Sequence, residues 1–190
     1  FRDGANGNTS SSPFGTSGDI PVAGNFDGDS KMDMAVYRPS DGDWYINQSA
    51  NGFTTFHWGI ATDVPFAMDF DGDGKCDPGV FRPSSGTWYI LSSFSSYSSY
   101  QTFAWGNYGD QPVPADYDGD GKADFAIWRP STCAWYVMKS YDSSWFGAVL
   151  GVPGDRAIPS SFIKQVGSQL SGSEVAKLRL SAKNATGGTD

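Results

Sequence analysis

Several residue types are nearly missing from this chain, and each gap removes a class of function. Among 190 residues there is one histidine, His57, and one glutamate, Glu174. A nucleophilic triad needs an oriented imidazole, and no partner set for His57 can be picked out, so it is read as a strand-surface residue. There are only two cysteines, Cys76 and Cys133, without a recognised spacing, which argues against a disulfide scaffold or a zinc site. No apolar run is long enough to span a membrane as a helix, so membrane insertion is not expected. Lys and Arg number 13 against 21 acidic residues, for a net charge of -8. An acidic chain without a basic stripe is a poor partner for nucleic acid.

What is present is equally biased. Aromatic residues make up 15% of the chain, and 24 Gly and 11 Pro supply breaks. That composition suits many short strands joined by tight turns. Every acidic residue except Glu174 is Asp, and more than half of these fall in three loops of one design. The loops read Asn25-Phe-Asp27-Gly-Asp29-Ser-Lys31-Met-Asp33, Asp69-Phe-Asp71-Gly-Asp73-Gly-Lys75-Cys-Asp77 and Asp116-Tyr-Asp118-Gly-Asp120-Gly-Lys122-Ala-Asp124. Each places oxygen ligands at positions 1, 3, 5 and 9. The lysine at position 7 would offer its carbonyl and leave its side chain in solvent. A hard divalent cation such as Ca2+ takes six to eight oxygens in a flexible shell, so about three calcium sites are expected. Position 12 is Val36, Val80 or Ile127, not the Glu that an EF-hand requires. The loop therefore belongs in a β-hairpin.

The loops mark a longer repeat. A Gly/Thr-Asp-x-Pro opening precedes each (Gly18–Pro21, Thr62–Pro65, Gly109–Pro112), and an apolar run ending in Arg-Pro-Ser follows (Arg38, Arg82, Arg129). Then come Trp44-Tyr45-Ile46, Trp88-Tyr89-Ile90 and Trp135-Tyr136-Val137, and finally an aromatic-Gly pair at Trp58-Gly59 and Trp105-Gly106, weakened to Leu150-Gly151. Four short β-type runs per unit of about 45 residues is the size of one propeller blade. The expected fold is all-β, a propeller of four-stranded blades. Phe1–Gly7 and Phe14-Gly15 match the end of a unit, and Gly154-Asp155 opens another, so three complete units lie between two partial ones. Joined, the partial units would close a four-bladed ring without exposed sheet edges; the alternative is a fragment of a larger propeller or open array. The repeat domain is placed at residues 1–163 and a polar tail or linker at 164–190, where Ser171–Glu174 could cap a short helix.

With their Asp/Asn-x-Asp-x-Asp-Gly/Ser-x-x-Asp loops, residues 14 to 160 resemble the calcium-binding FG-GAP (VCBS-type) repeats of integrin α-subunit propellers and of bacterial surface proteins. The resemblance implies Ca2+ held between the first and second strands of each blade, an extracellular or cell-surface location, and a place in a larger surface protein. An adhesion, interaction or scaffold role with a protein or glycan partner is expected, and an enzyme is not, because no catalytic constellation is complete in the sequence. Integrin-type propellers have seven blades, and this chain departs from that count. The first loop also departs, with Asn25 and Ser30 where the others have Asp and Gly, and is expected to hold metal least tightly.

The recurring Trp44, Trp88 and Trp135 are expected to pack between blades, with Arg38, Arg82 and Arg129 stacked on those rings. Non-repeated aromatics are better candidates for ligand contact, because function concentrates on loops. These are Tyr97, Tyr100, Tyr108, Tyr141 and Trp145, with Phe94 and Phe146 beside them. A lectin-like propeller using them is the second reading. Cys76 and Cys133 fall in turns at opposite ends of a blade, about 17–20 Å apart for a typical strand. They are not expected to pair.

Overall fold

The computed structural model describes residues 13–157. Within them lie twelve strands in three four-stranded antiparallel sheets and no helix. The first sheet is β1 (Ile20–Pro21), β2 (Met34–Arg38), β3 (Asp43–Gln48) and β4 (Gly52–His57), the second β5 (Val64–Met68), β6 (Asp77–Arg82), β7 (Thr87–Leu91) and β8 (Tyr100–Ala104), and the third β9 (Gln111–Pro112), β10 (Phe125–Arg129), β11 (Ala134–Met138) and β12 (Trp145–Val149). Each sheet runs in chain order, as the four runs per unit predict. Of the two expected partial units only Phe14-Gly15 and Gly154–Ala157 fall within the described residues; their remainder and the tail at 164–190 lie outside them.

The local reasons repeat. The second strand of each sheet stops at Arg because proline cannot donate to the ladder. The chain then turns tightly: Gly42 and Gly86, at φ 75° and 62°, donate to Arg38 O and Arg82 O at 2.9 Å. A Cβ on Gly86 would meet the Gly106 carbonyl at 2.3 Å, so the close approach requires glycine there. The third sheet has Cys133 at this position, in the same left-handed region at φ 54°. Cys76 and Cys133 are both free thiols.

Neighbouring sheets share their cores. Trp44, Tyr37, Ile46 and Phe26 of the first sheet pack with Ala67 and Val80 of the second. Trp88, Phe81, Ile90 and Phe70 of the second pack with Ala123 and Ile127 of the third. Trp44 and Trp88 are fully buried, which is the inter-sheet packing expected of them. Their indole N–H groups donate to Trp58 O at 2.9 Å and Trp105 O at 2.8 Å, fastening the third strand to the end of the fourth. Trp135 is only half-buried, on the far side of the third sheet.

The arginines sit differently from expectation. Arg38, Arg82 and Arg129 lie over Tyr45, Tyr89 and Tyr136, at 4.1, 4.5 and 4.8 Å from the ring centroids, not over the tryptophans. Tryptophan points into the core from the neighbouring position, and side chains alternate along a strand, so the tyrosine one residue on shares the arginine's face. Each guanidinium also grips an aspartate 19 residues earlier, Asp19, Asp63 or Asp110, through two hydrogen bonds of 2.8–3.0 Å. The same aspartates accept the backbone N–H of Thr16, Ile60 and Asn107, so each also closes the turn before its first strand. The Arg38 hydrogen bond, helped by the Thr16 N–H and the guanidinium charge, holds Asp19 at about 2 against the opposing effect of burial. A depressed carboxylate contributes stability that is complete above its unfolded value of 3.8 and is lost as pH falls toward 2. Replacing Asp19 by Asn is expected to flatten that part of the acid limb; superimposable Tm-versus-pH profiles for the two proteins would contradict the pairing.

Candidate metal centres

The three acidic loops lie side by side at one end of the sheets, between the first and second strand of each. The aromatic residue at position 2 roots each loop: Phe26 and Phe70 enter the core, and the Tyr117 hydroxyl donates to Val113 O at 2.8 Å. Carboxylate oxygens of Asp27, Asp29 and Asp33 converge in the first loop, of Asp69, Asp71 and Asp77 in the second, and of Asp116, Asp118 and Asp124 in the third. Within each group they lie within 4.8 Å of one another. Ca–O distances of about 2.3–2.6 Å allow oxygens of one shell to stand about that far apart. The donor set is all oxygen, as a hard cation prefers. Asp118 Oδ2 is buried without any hydrogen-bond partner, so the third loop holds an acceptor that a cation would satisfy.

Each loop position has its own partners. The position-9 aspartate is an anchor as well as a candidate ligand. One oxygen of Asp33, Asp77 or Asp124 accepts the N–H of Phe26, Phe70 or Tyr117, and the other accepts that of Ser49, Ser93 or Ser140 in the turn after the third strand. Position 1 of the second and third loops caps the turn, with Asp69 accepting from Gly72 and Gly74 and Asp116 from Gly119 and Gly121. At position 5, Asp73 and Asp120 take the Ser93 and Ser140 hydroxyls and the N–H of Lys75 and Lys122, and stay outside the convergent groups. Asp29, their counterpart, converges with Asp27 and Asp33 while taking the Ser49 hydroxyl at 2.7 Å. Burial raises Asp69, Asp77 and Asp124 above the ordinary carboxylate range.

The loops are also joined to one another, which the spacing of a single repeat does not reveal. Cys76 N–H donates to Asn25 O, and Ala123 N–H to Asp69 O, both at 2.7 Å. The Lys75 stem rests against Gly28 and the Lys122 stem against Gly72. Lys75 is half-buried there, whereas Lys122 and Lys31 remain exposed as expected; Lys31 also pairs with Asp29 at 3.2 Å. Asn25 is committed twice, accepting from Gly28 at 2.8 Å and donating to Gly74 O at 3.4 Å. A neutral position 1 leaves the first loop with the lowest charge, so Asp29→Ala is expected to remove only its weakest class of calcium site. Isothermal titration checks this, and loss of the tightest class would refute it.

The non-repeated aromatics do not form one surface. Tyr97 stacks on Phe56 at 5.0 Å and Tyr100 leans on Trp58 at 5.2 Å, so both seal the first sheet to the second. Burial pushes the Tyr97 hydroxyl up to about 12. Trp145 contacts Trp105 at 6.5 Å across the next junction and stays 62% exposed. Tyr141 is exposed beside the third loop, in a cleft with Asp118, Asp120 and Lys139. Tyr108 projects from the opposite end, between β8 and β9. His57 closes β4 with Nδ1 2.9 Å from Asp43, on the surface.

Residues 69–127, from the second loop into β10, match the family model of the FG-GAP-like repeat. This segment is an FG-GAP-type repeat, as its loops suggest. No curated protein matches the chain.

Proposed function

We propose that this chain is an extracellular β-propeller module in which about three Ca2+ ions fasten the loops of adjoining blades, and that it acts as an adhesion or interaction scaffold, not as a catalyst. The observation that carries this reading is the threefold recurrence of converging carboxylates on loops hydrogen-bonded to their neighbours. A cation there would offset carboxylate repulsion and rigidify one whole end of the module. Its partner would be a protein or a glycan, within a larger surface protein. The outer side of the third sheet, where Val113, Trp128 and Val137 cluster beside half-buried Trp135, suits a further blade of a four-bladed ring. Equilibrium dialysis against calcium tests the central element. About three ions bound per chain are expected, with Asp118→Asn and Asp124→Asn each abolishing one; no calcium bound at millimolar concentration would overturn the proposal.

A further inference from the structure

We propose that the three calcium sites fill cooperatively, because a relay of two peptide units joins each acidic loop to the next, and calcium in one loop orders the carboxylates of its neighbour. The inference rests on the calcium reading above and adds to it how one site regulates another.

The first relay starts at Cys76, whose N–H leaves the second loop and donates to Asn25 O at 2.7 Å. In a planar trans peptide the C=O points opposite to the N–H. The Lys75 carbonyl therefore points back into its own loop, where position 7 would serve as a ligand. Asn25 O belongs to the peptide unit whose N–H is that of Phe26, and this N–H donates to Asp33 Oδ2 at 2.8 Å. Asp33 is one of the three converging carboxylates of the first loop. The next junction repeats every step. Ala123 N–H donates to Asp69 O at 2.7 Å, and Phe70 N–H donates to Asp77 Oδ2 at 2.8 Å. Asp77 belongs to the second converging group. Both bonds between loops are shorter than the usual N–H···O length of about 2.9–3.0 Å. Packing keeps them in place: the Lys75 stem lies against Gly28, and Gly24 makes room for Cys76, whose Cβ and Sγ would stand 3.1 Å from a Cβ placed there.

The relays set the sign of the coupling. An ion that fixes the Lys75 carbonyl also holds the peptide at Asn25 and, through Phe26 N–H, the orientation of Asp33. An ion entering the first loop then has less left to order. Repulsion between the cations acts the other way and makes each ion weaken its neighbours. Both relays run through the second loop, so its ion is coupled to both others, and each coupling is reciprocal. The second and third loops carry equal charge and fill together, and the first, with neutral Asn25, fills last.

The test titrates calcium into the full chain labelled with 15N and 13C, with the amides of Gly28, Gly72 and Gly119 reporting the three loops separately. Asp71→Asn, which empties the second loop, is expected to weaken calcium about tenfold at the first loop and about threefold at the third. Asp118→Asn, which empties the third, is expected to weaken the second about threefold. Both variants keep the Oδ1 that accepts the N–H of Asp73 or Asp120, so the turns survive. Wild type needs no substitution and is expected to fill its second and third loops with a Hill coefficient above 1. Asp29→Ala isolates the relay, because its first loop holds no ion. Filling the second loop in that variant is expected to move the Asn25 carbonyl resonance and raise the backbone order parameters of Asn25 and Phe26. Neighbouring loops that bind as tightly as in wild type or more tightly after Asp71→Asn, a Hill coefficient of 1 or less, or Asn25 and Phe26 signals that ignore the second loop would each overturn the coupling while leaving calcium binding intact. Wild type that takes up no calcium overturns the underlying reading and the coupling together.

Discussion

Chelation by EDTA is expected to lower the melting temperature by on the order of 15 °C or more, the largest single effect foreseen. Calcium that binds the folded chain stabilises it by linkage, roughly 2.7 kcal/mol per site when free metal is about 100 times its Kd. Three such sites sum to about 8 kcal/mol. A chain of this size moves roughly 2–4 °C per kcal/mol. The effect also has a signed pH dependence. Asp69, Asp77 and Asp124 are raised by burial, so in the metal-free protein their ionisation costs stability as pH rises above their unfolded value of 3.8. A bound cation removes that cost, and the calcium-dependent increment therefore grows with pH above about 4. Melting curves with calcium and with EDTA at several pH values measure both quantities. Identical curves would eliminate calcium as a fastener of the fold.

How far the sequence carried the structure depended on whether a contact lies inside one repeat or between two. Strand order, the hairpin setting of the loops and the Trp44 and Trp88 core positions follow from spacing within a unit, and all were legible. The contacts that were missed cross between strands or between units. The grip of Arg82 on Asp63 and its stacking on Tyr89 connect three strands, though the constant 19-residue offset between the charges was a signal available in the sequence. The aromatic at loop position 2 recurs as Phe26, Phe70 and Tyr117 and could likewise have been read as an anchor. Tyr97 gives no such sign. Its role as a seal over Phe56 depends on how one sheet lies on the next, which alternation along a strand does not specify. The units also differ where Tyr37 gives way to Phe81 and Ile60 to Asn107, and the bond from the Trp58 indole to Tyr89 O has no counterpart at Trp105.

Replacing Trp88 by Ala is expected to destabilise the protein by about 3–5 kcal/mol, with Tm falling by roughly 6–20 °C. This side chain has no exposed surface and joins two sheets. Its ring lies 5.0 Å from Phe66 and 5.3 Å from Phe81 within its own sheet, and 5.5 Å edge-on from Phe125 of the next. Truncation leaves a cavity at that junction that neither sheet can collapse to fill, because Phe66 already packs so closely over Gly79 that a Cβ there would meet the ring at 2.1 Å. It also leaves Trp105 O without the indole that donates to it at 2.8 Å. Trp135→Ala is the control. That residue occupies the same strand position, yet its indole makes a longer bond of 3.3 Å to Leu150 O and its face is only half covered among the described residues. If inter-sheet burial decides the cost, Trp88→Ala loses clearly more stability than Trp135→Ala in denaturant titration. Equal losses would mean that another element covers Trp135 as fully as Phe125 covers Trp88, and that the third sheet is closed over like the other two.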